Sequence, residues 1–158
     1  MAVNKPLIAS IILSDKGANW IGNFEGFRAM PYRDGGGLWT IGFGHRISDP
    51  LAYPKGISVQ TAITFMKLDV QKTINGLISL ELDLPLQHHQ DAVISLVYNI
   101  GIGAFGKSVI YEALKAKSGD LWAWESWIKD NKGVVEKGLV ERRELERQCF
   151  IWGVYNNL

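Results

Sequence analysis

The chain has 158 residues, of which 47% are hydrophobic, enough for one packed domain and too many for a disordered one. Seventeen basic against sixteen acidic residues leave a net charge of +1, which gives no electrostatic case for a nucleic-acid binder. A single cysteine, Cys149, excludes an internal disulfide; among Gln148, Phe150, Ile151 and Trp152 it reads as a buried structural thiol.

In chain order, Leu7–Leu13 is apolar apart from Ser10 and follows Lys5, a faint likeness to a signal peptide. It is too short for a membrane helix, and no convincing small-residue cleavage site precedes Asp15 and Lys16. It reads instead as the first turns of a core helix, so no stable membrane insertion is expected. That helix runs to about Phe24 or Glu25, with Gly26 as its stop. Tyr32–Asp34 and Leu38–Phe43 then flank Gly35–Gly37, the pattern of a β-hairpin. Trp39, Ile41 and Phe43 alternate with Thr40, Gly42 and Gly44, which predicts one greasy face and one small, polar face. Ser58 is placed to cap a long helix that buries Val59, Ile63, Met66, Val70, Ile74 and Leu77.

Pro85 opens a more helical half. Ala92, Val93, Leu96, Val97 and Ile100 predict a central helix that is apolar nearly all round. Shorter helices follow near 108–116 and 120–130, and a last one over about 137–152. Trp122, Trp124 and Trp127 cluster on a short segment; core packing suits Trp127, and Trp122 stays open between core and a sugar platform. The expected fold class is α+β and mainly helical. A small lobe spans about 18–57, a connecting helix about 58–84 and a helical lobe about 85–158, all in one domain over 1–158. A cleft between the lobes suits a polymer.

Chemistry concentrates between Phe24 and His45. A glycosidase needs a carboxylic acid to protonate the leaving oxygen and a second polar group across the bond to hold a water or steady the cation. Glu25 at a helix end and Asp34 at a strand end supply two carboxyls in different surroundings. The negative end of the helix dipole, with Phe24 and Phe27 alongside, favours a carboxyl at Glu25 that keeps its proton. Glycine N–H groups beside Asp34 favour its charged form. Thr40 is placed to orient a water with Asp34, and Gly42 and Gly44 to let a sugar approach the backbone. The same residues also suit a bare helix end and a bare turn, and spacing alone does not separate the two readings.

The wider text resembles the phage-type lysozymes, the endolysins of glycoside hydrolase family 24. Their signature is a Glu, eight residues, an Asp or Cys, five residues and a Thr; Glu25, Asp34 and Thr40 match it fully. F-E-G-F-R and T-I-G-F-G-H are similar to the family's usual text, as are Asp91–Ser108 and Gly138–Arg147 further on. The resemblance implies a lysozyme-like fold and a muramidase acting on peptidoglycan, without cofactor or metal. It implies Glu25 as proton donor, with Asp34 and Thr40 around the water. Tyr98 and Asn99, with Phe105 and Ser108 in the next loop, are implied to bind substrate. His45 is implied to form a structural ion pair, and either Arg142 or Arg143 to reach Glu25. A monomer is expected, made in the host cytoplasm and brought to the wall with help from a separate holin-type membrane protein. The rival readings are a lytic transglycosylase and a non-catalytic wall-binding module. His88 and His89 lack the partners that a metal site needs.

Overall fold

The computed structural model describes residues 10–119, 121–129 and 132–157. Its first helix, α1 (Asp15–Glu25), is capped by Ser14, whose hydroxyl accepts the Gly17 N–H, and stopped by Gly26 at φ 79°. The expectation that this helix begins upstream is corrected for Ser10–Ser14, which is non-helical. Ile11 and Leu13 are buried while Ser10 and Ile12 face out, the alternation of an extended chain. Two side chains of the central helix fix that segment: Gln90 accepts the Ile12 N–H at 3.0 Å, and Gln87 donates to the Ile12 carbonyl at 3.0 Å. Leu7–Ala9 lie outside the described residues.

Strands β1 (Arg28–Arg33), β2 (Trp39–Gly42) and β3 (His45–Arg46) form one antiparallel sheet in that order. Asp34 donates its N–H to the Leu38 carbonyl at 2.9 Å to close the first hairpin. Phe43–Gly44 is the second turn, and Gly44 at φ 92° supplies the backbone it requires. The strand has the two faces expected of it, Ile41 on one and Thr40 on the other. As the middle strand, β2 is paired along both edges, and Thr40 and Ile41 are both buried. Gly42 keeps a helix close rather than a sugar, since a Cβ there would lie 3.0 Å from that of Ala62.

The connecting helix is two helices, α2 (Val59–Asp69) and α3 (Gln71–Ser79). Val70 breaks them at ψ −9°, and its buried side chain keeps the apolar stripe continuous across the break. Ser58 caps α2 as expected, accepting the Thr61 N–H, but Val59 is 43% exposed in the uncovered first turn. Helix α4 (Gln87–Ile100) is the centre of the molecule: every residue from Gln90 to Val97 is buried. Around it lie α5 (Ile102–Phe105), α6 (Val109–Lys115), a 3₁₀ turn over Leu121–Ser126 in place of the expected helix, and α7 (Lys137–Trp152). Trp124 is buried, Trp127 is packed partly against the core, and Trp122 is exposed beneath Arg147. Cys149 is buried in α7, and burial pushes its thiol up to about 12. No described helix is long and apolar enough to cross a membrane.

Two buried carboxylates join the elements. Asp91 accepts from the Ser14 N–H (3.0 Å) and hydroxyl (2.6 Å), from Gln87 (2.9 Å) and from the Tyr155 hydroxyl (2.7 Å). It thereby ties the start of α1 and the C-terminal segment to α4, beside the positive end of the α1 dipole. Glu146, fully buried on α7, accepts from the Ser95 hydroxyl (2.6 Å), Arg142 Nε (3.0 Å), Arg143 Nη2 (3.0 Å) and Trp124 Nε1 (3.2 Å). Arg143 Nε also lies 2.8 Å from Oε2, outside hydrogen-bonding alignment.

Three stability changes are expected, two from these contacts and one from an open helical position. A Cβ on Gly17 would stand 2.6 and 2.7 Å from the Asp91 oxygens, which cannot retreat without losing their donors. Gly17→Ala is expected to lower unfolding free energy by about 1–3 kcal/mol in urea titrations. Gly103→Ala, in helical backbone with open space around it, is expected to be neutral or to raise stability by up to about 1 kcal/mol. Glu146→Ala leaves two buried guanidinium groups short of a partner and is expected to cost about 3–5 kcal/mol in the same titration.

Candidate active site

Glu25 is the last residue of α1, where the chain turns into the sheet through Gly26. Its side chain is 29% exposed, and its Oε1 accepts a 2.9 Å hydrogen bond from Arg142 Nη1. Oε2 has no hydrogen-bond partner among the described residues. The register ambiguity along α7 is thus resolved in favour of Arg142. Arg143 turns away, donating to Asn99 Oδ1 at 3.0 Å and to Glu146. Arg142 is held on several sides. Its Nε bonds Glu146, its Nη2 donates to the Ser95 carbonyl at 3.3 Å, and its guanidinium lies 4.9 Å from the Phe24 ring centre. Glu146 lies between the two guanidinium groups, and Glu25 meets Arg142 from its other side. Phe27, the other expected neighbour, packs on Phe43 with ring centres 5.5 Å apart.

Asp34 follows β1 directly. Its Oδ1 accepts the N–H groups of Gly36 (2.9 Å) and Leu38 (2.8 Å), so the hairpin loop wraps round one carboxylate oxygen. Of the three glycines beside it, Gly36 alone donates to that carboxylate. Thr40, 2% exposed, donates its hydroxyl to the Leu38 carbonyl at 3.0 Å, which leaves its lone pairs to accept. Strand register sets the neighbours. Tyr32 pairs with Thr40 and Thr40 with Arg46, so these three share one face of the sheet. Asp34, two residues beyond Tyr32, continues that side of β1. Ile41 and His45 pair on the opposite face, towards α2. There His45 Nδ1 lies 2.9 and 3.0 Å from the Asp69 oxygens, and its ring packs 4.3 Å from Phe65. The partner expected of His45 is thus the Asp69 carboxylate.

From the helical side, Tyr98 stands partly buried on α4. Burial pushes its phenol up to about 12; Asp69 and Glu25 push the same way, while Arg142 and Arg46 oppose them. Those four charges come from α1, α2, α7 and β3, so Tyr98 sits where the sheet and the helices converge. Asn99 is exposed with its carbonyl oxygen engaged by Arg143. Phe105 and Ser108, expected to bind substrate, are both buried. Phe105 is fully buried against Tyr111, with ring centres 5.7 Å apart. Ser108 caps α6, donating to the Phe105 carbonyl at 2.6 Å and accepting the Tyr111 N–H. The loop folds inward because the cap and the aromatic pair satisfy it internally.

Sequence reasoning missed Ser95, Glu146 and Arg46. Glu146 carried a faint signal: Arg142, Arg143 and Glu146 stand at i, i+1 and i+4, a spacing that brings both arginines to one carboxylate. Among the described residues no group of three or more His, Cys, Asp or Glu side chains is arranged to hold a metal ion.

The chain is similar to known proteins over most of its length. The phage lysozyme family profile matches residues 22–146. An endolysin of Bacillus phage B103 is 36% identical over 151 residues, 92% of this chain; the chain spans 56% of that relative's length. An endolysin of Acyrthosiphon pisum secondary endosymbiont phage 1 is 31% identical over 144 residues, covering 87% of this chain and 97% of the relative. Among solved structures, an endolysin from Escherichia coli O157:H7 phage FAHEc1 superposes with a TM-score of 0.78 at 33% identity, covering 92% of this chain and 96% of its own. The muramidase domain of SpmX from Asticaccaulis excentricus gives 0.73 at 28% identity, covering 88% and 97%. The profile spans Glu25, Asp34, Thr40 and Arg142 in one match, and with that the chain belongs to the phage lysozyme family.

Proposed function

We propose that this protein is a muramidase that hydrolyses the β-1,4 bond between N-acetylmuramic acid and N-acetylglucosamine in peptidoglycan, for host-cell lysis by a phage or prophage. The observation that carries the reading is the seating of Glu25: one oxygen fixed by Arg142, the other open, at the point where α1 meets the sheet. Endolysin relatives and a muramidase-domain neighbour support the same chemistry.

In this reading Glu25, protonated, gives its proton to the leaving glycosidic oxygen as the bond from C1 breaks. A water attacks C1 and passes its proton to the open oxygen of Asp34, with Thr40 accepting a hydrogen bond from the same water. Two hydrogen bonds to Oδ1 hold Asp34 still, and its other oxygen is left for the reaction side. The Thr40 hydroxyl donates to Leu38, so it meets a water as an acceptor. Arg142 fixes the direction of Glu25 and balances the charge that remains after proton transfer.

The substrate lies between a sheet-bearing lobe, about 18–57, and a helical lobe, about 85–158, joined through α2 and α3, in a single domain over 1–158. Tyr98 and Asn99 line it from the helices. The protein acts as a monomer without cofactor. It is made in the host cytoplasm and reaches the wall with the help of a separate holin-type membrane protein.

Glu25→Gln keeps the shape and the Arg142 contact but has no proton to give. Reducing-end release from purified peptidoglycan is expected to fall at least about 100-fold with unchanged thermal unfolding; a variant within a few-fold of wild type removes Glu25 as the acid. Mass spectrometry of wild-type digests is expected to show hydrolysed, reducing muramyl ends. A 1,6-anhydro end would identify a lytic transglycosylase instead, and binding without cleavage a wall-binding module.

A further inference from the structure

We propose that Arg46 sets substrate specificity by binding a carboxylate on the peptide arm that muramic acid carries in peptidoglycan, an assignment that rests on the muramidase reading above. The chain has six arginines. Five have engaged guanidinium groups: Arg28 over Tyr32, Arg33 over Trp39 and on the Gly37 carbonyl, and Arg142, Arg143 and Arg147 on glutamates. Arg46 is exposed and has no hydrogen-bond, ion-pair or ring partner among the described residues.

Its position gives that free charge a use. Arg46 is the direct cross-strand partner of Thr40, on the same face of the sheet, with Tyr32 on the other side of Thr40. Cross-strand partners on one face have Cβ atoms about 5 Å apart, so the longer arginine extends past the threonine towards whatever lies over it. Across the site, Arg46 is one of the charges that act on Tyr98, together with Glu25 and Arg142. The guanidinium therefore stands beside Thr40 and within electrostatic reach of Tyr98, on which Glu25, Asp69 and Arg142 also act.

A glycan backbone of N-acetylated sugars is uncharged, and a cation beside it has no counterpart there. The peptide arm, borne on the lactyl ether of muramic acid, brings carboxylates close to the bond that is cut. The guanidinium fork matches a carboxylate with two parallel hydrogen bonds, which a lysine ammonium does not reproduce.

The test uses solubilised peptidoglycan strands in three forms: untreated, with peptide carboxylates capped as neutral amides, and with peptides removed so that only the lactyl carboxylate remains. For the wild type, kcat/KM for reducing-end release is expected to favour untreated over capped strands. Arg46→Gln is expected to shrink that ratio about five- to tenfold, through KM rather than kcat, and Arg46→Lys to shrink it less. Raising salt is expected to weaken the wild-type preference and leave that of Arg46→Gln flat. An identical ratio in wild type and Arg46→Gln overturns the assignment, as does an equal loss on capped strands. An effect as large on stripped as on untreated strands also overturns it, because the peptide is then not what Arg46 meets. The same ratio, read as binding of the three strands to Glu25→Gln and to Glu25→Gln/Arg46→Gln, tests Arg46 without cleavage. Failure of wild type to cleave any form, with the binding ratio still dependent on Arg46, would sink the muramidase reading and leave this one standing.

Discussion

Glu146 is the anchor of the molecule. It lies fully out of water, touches neither solvent nor the reaction side, and takes hydrogen bonds from α4, α7 and the 3₁₀ turn. Two guanidinium groups can be buried beside α4 because this carboxylate is between them. Burying charges is costly, and an apolar cluster of similar volume would often be as stable or more so. The return is geometric. With Nε committed to Glu146, Nη2 to the Ser95 carbonyl and its plane near the Phe24 ring, Arg142 has one free direction, and that direction ends at Glu25. The reach from Ser95 to Glu25 thus passes through groups whose alternatives have all been removed.

The opposite end of α4 has a matching device. Asp91 gathers the entry into α1 and the exit of the chain at Tyr155 onto the central helix. Glu25 closes α1, so both ends of that helix are pinned, one by a buried carboxylate and the other by the Arg142 contact. The sheet adds its residues by register rather than by burial. A loop wrapped on Asp34 fixes the first hairpin, which sets Tyr32 beside Thr40, and the second hairpin adds Arg46 on its other side. Residues far apart in sequence meet because each is held by a local rule that has little freedom.

Local rules were legible in the sequence, and long-range ones were not. The Ser58 cap, the hairpin round Gly35–Gly37, the all-round apolar α4, the extent of α7 and the place of Glu25 at a helix end could be read from residue types within a few positions. Ile11 and Leu13 misled because a short apolar run does not declare its period; Gln87 and Gln90, more than 70 residues on, hold it extended. The Val70 break kept its hydrophobic spacing and so left no mark. The two faces of β2 could be read from its alternation, but the close approach of Ala62 to Gly42 could not, because Ala62 lies 20 residues further on, in α2. The triplet Glu25, Asp34 and Thr40 gained its meaning from the family text, and the choice of Arg142 over Arg143 from helix rotation, which a sequence register alone leaves open by one. Phe105 and Ser108 followed the family text into the loop but are committed to core and cap.

Cys149 adds a consequence of another kind. Its sulfur is sealed within α7 and held in the neutral form, so almost none of the nucleophilic thiolate exists at ordinary pH. The chain has no second cysteine with which to pair. Folding of this chain therefore waits on no internal disulfide, whether its surroundings reduce or oxidise thiols. A protein passing from the first kind of compartment to the second needs no redox catalyst to finish it, and is not exposed there to mispairing.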